Sequence, residues 1–313
     1  MKKRIIFMGT PEFSVQILNR LSTLNCDIVG VVSQPDRKVG RKQVLTQTPI
    51  KKRALELNYP VFQPEKIGDI FETLANLKPD LMVTCAYGQF IPERILNLPT
   101  FGSVNVHASL LPKYRGGAPI HKAIIQGETE SGITLMRMVK KMDAGDILFQ
   151  EKCPIYSTDT VQELHDRLAQ LGADLLAKHW NALLSSELTS HPQDESLVTY
   201  AYNITSEQEF VRFNRESLSV YNHIRGLNPW PLAYGLLADK KVKLIQVSYE
   251  ICPVKSPAGT ILGLIQHKLA IQTLDGILYV ESLQVEGKTR MSAQEAWLGL
   301  EKQWMGQVFK DRL

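Results

Sequence analysis

The sequence predicts an α/β fold, a doubly wound parallel sheet followed by a small closed β-barrel. Before residue 187, short apolar runs alternate with segments of helical period. A polar stretch at 187–206 breaks that pattern, and from Ala233 onward short strands follow one another between turn residues. A chain of 313 residues is long for one core. The expected division is residues 1–186, a linker at 187–206 and a second domain at 207–313.

Ile5–Met8 is the first apolar run, Gly9-Thr10-Pro11 is a turn, and Phe13, Ile17, Leu18 and Leu21 then recur along one helix face. Ile28–Val32 is the next apolar run, and this β-α-β opening implies a parallel sheet. The first turn lacks G-x-G-x-x-G, so neither a nicotinamide nor a flavin is expected. Gln34–Gln43 forms a long polar loop broken by Pro and Gly, with Arg37, Lys38, Arg41 and Lys42 along it. By charge pattern alone it is a solvated surface loop or a contact for a polyanion. A helix follows from Pro49, and its Lys51, Lys52 and Arg53 would extend the basic patch if they face the same side. Leu81–Thr84 reads as a buried strand leading into Ala86–Pro92, whose aromatic residues either wall a flat ligand or simply pack.

The densest set of reactive polar groups lies in Ser103–Gly117. Val104 and Val106 alternate with Ser103, Asn105 and His107, which predicts a strand with those three polar side chains on one face. Two strand residues advance about 6.6 Å, so the Asn105 amide and the His107 imidazole can flank one small reacting group. Ser109–Gly117 leaves the strand as a loop at its end, where open α/β sheets bind ligands. A helix over Ala118–Ile125 and a strand over Gly132–Met138 come next. Asp143 and Asp146 then bracket a glycine turn, and by themselves they are turn formers. Thr160-Val161-Gln162-Glu163 is a capping-box pattern that opens a long amphipathic helix reaching about Leu184.

After the polar stretch, a short helix over Leu218–Leu227 meets the stiff corner Asn228-Pro229-Trp230-Pro231. Short strands follow at Val242–Val247, Thr260–Ile265, Leu269–Thr273 and Ile277–Leu283. Strands this short and closely spaced suggest a small closed barrel, suited to binding more than to chemistry.

Composition is that of a globular protein, 44% hydrophobic and 22% charged, with a net charge of +4 that permits a polyanionic partner without showing one. No apolar run approaches bilayer-spanning length, and Met1–Met8 reads as the first buried strand of a cytoplasmic protein. The four cysteines stand singly, and no H-E-x-x-H or paired histidines occur, so neither a disulfide framework nor a metal site is expected. Ser109 lacks the G-x-S-x-G elbow of a nucleophilic serine. Three classes remain open on residue chemistry: a group transferase, a hydrolase of related chemistry, and a non-catalytic RNA-binding protein.

Asn105-Val106-His107-Ala108-Ser109-Leu110-Leu111-Pro112-Lys113-Tyr114-Arg115-Gly116-Gly117-Ala118-Pro119, with Asp143-Ala144-Gly145-Asp146 downstream, resembles the signature of the formyltransferases that use 10-formyltetrahydrofolate. Within that family the chain resembles the members acting on methionyl initiator tRNA. The similarity extends to Ile6–Pro11, Gln34–Arg37, Gly40-Arg41, Val61–Pro64, Asn228–Pro231 and Met291–Gln294. The resemblance implies a Rossmann-like sheet domain and a C-terminal barrel of the oligonucleotide-binding type. It implies catalytic roles for Asn105, His107 and Asp143, with folate along Tyr87, Gly88, Gln89, Phe90 and Ile91 and along Ser109, Leu110, Leu111 and Pro112. It also implies tRNA contacts at Arg37, Lys38, Arg41 and Lys42. The donor would be a cosubstrate released as tetrahydrofolate, with no metal, in a monomeric enzyme. Two places depart from the family pattern: Lys42-Gln43-Val44 in the basic loop, and Val211–Asn214 near the linker.

Overall fold

A computed structural model describes residues 2–40 and 42–310. The chain forms two compact units. The first comprises Met1–Pro119, Glu130–Pro154 and His165–Tyr202, and the second comprises Ile120–Thr129, Ile155–Leu164 and Asn203–Leu313.

The first unit contains β1 (Lys3–Gly9), β2 (Cys26–Val32), β3 (Arg37–Val39), β4 (Val44–Thr46), β5 (Val61–Phe62), β6 (Leu81–Cys85), β7 (Ser103–His107), β8 (Glu130–Arg137) and β9 (Ile147–Pro154). Seven of these form one sheet in the order β5-β2-β1-β6-β7-β8-β9, while β3 and β4 make a separate hairpin. The five strands from β5 to β7 are parallel, and Ile5, Ile6, Phe7 and Met8 are fully buried because helices cover both faces. These five strands are the expected doubly wound parallel core, and β8 and β9 extend it antiparallel into a mixed sheet. β9 returns from β8 through the short connection that holds Asp143, and so tight a connection can join only antiparallel neighbours. The helix Val161–Lys178 approaches the sheet at Gly172, where an added Cβ would stand 3.0 Å from Val106.

The segment expected as a linker is held against the first unit. Gln193 and Ala201 are buried, and Arg115 forms a parallel bridge with Tyr200. Conversely, residues 120–129 and 155–164 join the second unit. Ile125 packs against the second core, and the Arg225 guanidinium donates to the carbonyls of Tyr156 (3.1 Å) and Asp159 (2.7 Å). The division is therefore discontinuous in sequence, unlike the linear one expected.

The second unit contains β10 (Tyr234–Leu237), β11 (Lys240–Ile251), β12 (Ile261–Ile265), β13 (Lys268–Gln272), β14 (Gly276–Val285) and β15 (Met291–Ser292). The antiparallel path is β10-β11-β14-β13-β12. Its ends are joined by the chain's last described residues, since Lys310 bridges Leu236 and Val308 bridges Thr260. The helices Ser217–Arg225 and Ala293–Trp304 add Val220, Ile224, Ala296 and Trp297 to the core. The second of these helices was not expected. Ser292 and Glu295 start it as a reciprocal capping box, a pattern the sequence displays. No described helix is long and apolar enough to cross a membrane.

Candidate active site

β7 lies between β6 and β8, with Asn105 opposite Thr84 and Met136, and His107 opposite Thr134. Val104 and Val106 point into the core, and burying each contributes about 1.5–3 kcal/mol. That fixes the register, because a one-residue slip would turn the polar Asn105 and His107 into the apolar core in place of the two valines. The Thr84 hydroxyl donates to Asn105 Oδ1 at 2.9 Å, ahead of the more distant Val104 carbonyl at 3.4 Å and the weaker acceptor Met138 Sδ at 3.0 Å. With its carbonyl end so held, Asn105 directs its Nδ2 donors away from β6.

His107 is 6% exposed. Its Nε2 is 3.0 Å from the Tyr114 carbonyl, and its Nδ1 is 3.8 Å from Asp143 Oδ2. Both ring nitrogens thus face oxygen acceptors. The same carboxylate oxygen accepts from the Gly116 N–H at 2.8 Å. Asp143 adopts φ +48°, and Gly145 permits the turn because any Cβ there would stand 1.9 Å from the Arg137 carbonyl oxygen. His107 and Asp143 therefore meet, although thirty-odd residues separate the strand from the turn, and Asn105 precedes His107 on the same strand. Two neighbours have other duties. Asp146 accepts from Ser190 Oγ at 2.7 Å, and Ser109 Oγ donates to the Lys113 carbonyl at 2.7 Å, so neither is held toward His107.

The Ser109–Pro112 backbone is fixed by two residues that the sequence did not single out. Thr134 Oγ1 donates to the Ser109 carbonyl at 2.6 Å and accepts from the Leu111 N–H at 3.1 Å, while Gln150 Nε2 donates to the Leu111 carbonyl at 2.8 Å. Ser109 and Leu111 are buried; Leu110 and Pro112 are partly exposed. Along Tyr87–Ile91, Tyr87 and Ile91 belong to the core beneath β1 and β6, whereas Phe90 is 65% exposed. The Tyr87 carbonyl accepts from Thr10 Oγ1 (2.8 Å) and Gln34 Nε2 (3.2 Å), and Gln89 Oε1 accepts from the Ile67 N–H at 2.8 Å. Burial pushes the Tyr87 phenol up to about 12, and its hydroxyl has no partner among the described residues. An exposed Phe ring beside the open Gly88 backbone is suited to a flat heterocycle with polar edges, whereas the buried Tyr87 hydroxyl belongs to the core.

The basic loop is not irregular: β3 and β4 pair as an exposed hairpin. Lys38 and Lys42 are exposed, Arg37 pairs with Glu65 at 2.7 Å, and Arg41 lies outside the described residues. Val39, Val44 and Leu45 add exposed apolar surface, Leu45 at 66%, that a purely polar reading missed. In the helix Pro49–Glu56, Lys51 pairs with Asp36 at 2.5 Å and Arg53 with Glu56 at 2.9 Å, so these two cations are matched locally.

The chain is similar to known proteins over nearly its whole length. The Formyl transferase family profile matches residues 2–179, and that of the Formyl transferase C-terminal domain matches residues 203–301. A methionyl-tRNA formyltransferase of Halalkalibacterium halodurans is 50% identical over 295 residues, 93% of each chain. One from Staphylococcus epidermidis is 46% identical over 308 residues, 97% of this chain and 99% of the relative. Among solved structures, HypX from Aquifex aeolicus in complex with tetrahydrofolic acid superposes with a TM-score of 0.65 at 16% identity, covering 100% of this chain and 50% of that one. An N-formyltransferase from Helicobacter canadensis, in complex with folinic acid and dTDP-3-aminofucose, gives 0.66 at 20% identity, covering 90% and 99%.

Proposed function

The chain belongs to the formyl transferase family, and from that premise we propose that it formylates the α-amino group of methionyl initiator tRNA, with 10-formyltetrahydrofolate as donor. The observation that carries this reading is the approach of His107 to Asp143 at the end of β7, the strand that also bears Asn105, within a chain related over nearly its whole length to methionyl-tRNA formyltransferases.

The acceptor amine has a reference pKa of about 7.7–8.0, lower when its carboxyl is esterified, so at least about a tenth of it is already a free nucleophile at neutral pH. Strong base activation is unnecessary. The bound donor supplies the formyl carbon and the nitrogen that leaves it. A bond forms from the amine nitrogen to the formyl carbon, the bond from that carbon to the folate nitrogen breaks, and the amine's proton passes to the departing nitrogen. The residues must hold the two reactants together and stabilise the oxyanion in between, where one well-placed donor is worth about 3–4 kcal/mol.

Asn105 Nδ2 is the first such donor, oriented by Thr84. His107 is the second. Its Nε2 faces the Tyr114 carbonyl and must exchange that partner for the oxyanion or the transferring proton. Asp143 stabilises positive charge on the ring. The donor would lie along Tyr87–Ile91 and Ser109–Pro112, where Phe90 offers a face and Thr134 and Gln150 keep the second loop in place. Lys38 and Lys42 of the hairpin, with Arg37 and Arg41, would take tRNA phosphates, and the exposed Leu45 would meet a base or sugar. The same reading takes it to be a monomer of the cytoplasm, where initiator tRNA is used.

The test offers radiolabelled 10-formyltetrahydrofolate with methionyl initiator tRNA, with a nucleotide-linked amino sugar, or with water alone. Label is expected on the tRNA. Label on the sugar, or release as formate without an acceptor, would replace this reading.

A further inference from the structure

We propose that Gln193 is a positioning residue for the Asp143–His107 pair, and that residues 193–201, which read as linker, are part of the reaction machinery. The inference rests on the catalytic reading of Asp143.

Gln193 is buried and every hydrogen-bonding position of its amide is filled. Its Oε1 accepts from Arg115 Nε (3.0 Å) and Nη2 (2.8 Å), and its Nε2 donates to the carbonyls of Asp143 (2.8 Å) and Gly145 (2.7 Å). This polarity admits one orientation. Rotating the amide by half a turn would aim its N–H groups at a guanidinium and its oxygen at two carbonyls. Gln193 therefore ties the Asp143 turn to Arg115, and Arg115 lies between the two residues that touch the catalytic pair, Tyr114 through its carbonyl and Gly116 through its N–H.

The rest of the segment holds the same loop. Thr199 accepts from the Arg115 N–H at its carbonyl (2.9 Å) and from the Tyr114 N–H at its hydroxyl (2.9 Å). Ala201 donates to the Arg115 carbonyl at 2.7 Å and accepts from the Ala118 N–H at 2.9 Å. Glu195 closes the outer side, accepting from Arg115 Nη2 at 2.8 Å and from Lys141 Nζ at 2.7 Å. Arg115 is 0% exposed, so its charge depends on these partners.

Asp143 needs such a hold. Its φ of +48° is disfavoured for an L residue and persists only where the surroundings enforce it. Relaxing to negative φ would swing its carboxylate relative to His107. Gln193 grips the carbonyl of that residue, the atom that would move.

Gln193→Glu keeps both acceptor positions for Arg115 and loses both donors. Turnover should fall on the order of 10- to 100-fold, the effect of displacing a reacting group by about 1 Å. Donor-site affinity, measured by equilibrium binding of tetrahydrofolate, should stay within about threefold, while the melting temperature should fall by a few degrees, because a carboxylate oxygen now faces the Asp143 and Gly145 carbonyls although the Arg115 contacts remain. In the Asp143→Asn background the same substitution should cost little more, since a residue acting through Asp143 has nothing left to position. Gln193→Glu turnover within about threefold of the parent, or losses that multiply in the double variant, would overturn the proposal. Unchanged turnover in Asp143→Asn alone would overturn the catalytic reading itself. A loss there beside a near-normal Gln193→Glu would remove only the positioning role.

Discussion

Replacing Asp143 by Asn isolates the charge that faces His107. The side chain keeps its volume and an acceptor oxygen for the Gly116 N–H at 2.8 Å, so the backbone arrangement should survive. What is lost is a negative charge 3.8 Å from His107 Nδ1. Two unit charges at that separation interact with about 4 kcal/mol at an effective dielectric of about 20. The Asp143 side chain is 17% exposed, and water reduces this figure, leaving about 3–4 kcal/mol if the ring is positively charged in the transition state. That corresponds to a fall in kcat of roughly 100- to 1,000-fold. The assay is steady-state transfer of labelled formyl to methionyl-tRNA with both substrates saturating, beside a thermal melt. KM for each substrate should change little, because the charge acts on the ring and not on either substrate's anchoring groups. A kcat within about threefold of the parent would refute electrostatic support of His107 by Asp143.

Thr84→Val removes the hydroxyl that fixes the Asn105 amide while keeping the shape of a buried β-branched side chain. A lost hydrogen bond of about 0.5–1.5 kcal/mol predicts a two- to twelvefold lower kcat, restored in Thr84→Ser; equal activity in Val and Ser variants would show that the amide is oriented otherwise. Glu195 supplies a pH test. Its hydrogen bonds with Arg115 and then Lys141 bring the carboxyl from 4.5 down to about 2. A carboxyl depressed on folding stabilises the native state fully above its ordinary value and loses that contribution as pH falls through the native one. The melting temperature should therefore drop between pH 4.5 and about 2, and drop less in Glu195→Gln, as followed by circular dichroism; parallel curves for the two proteins would disprove the coupling.

The fold was legible where local pattern and tertiary partner agree. Ile5–Met8 and Leu81–Val83 are apolar throughout, as strands covered on both faces must be, and they stand side by side in the sheet. The antiparallel β8 and β9 were less visible. Ile147–Pro154 alternates buried and exposed positions only in part, as an edge strand does, and its charged Glu151 and Lys152 interrupt any apolar run. The boundary between units was invisible to composition, because Arg225 seeks backbone carbonyls and carbonyls carry no sequence signal.

The same asymmetry governs the site. Asn105 and His107 could be paired from strand period alone, and Asp143 joined them through resemblance, but the groups that hold these three were not found. Thr84 left a faint mark as a polar residue near the end of a buried apolar strand, and Thr134 as one in the middle of β8. Gln193 left none. It sits among Ser, Pro, Asp and Glu, and its value comes from burial against Arg115, a contact spanning 78 residues. A stretch without apolar periodicity is read as loose because strands and helices announce themselves by what they bury. Residues 187–206 are ordered instead by polar contacts, through backbone pairing with the Arg115 loop and one fully satisfied amide. An unmatched arginine in a glycine loop, such as Arg115, is the sequence-level sign that such a polar partner must exist somewhere else in the chain, since a guanidinium drawn into the interior has to be answered.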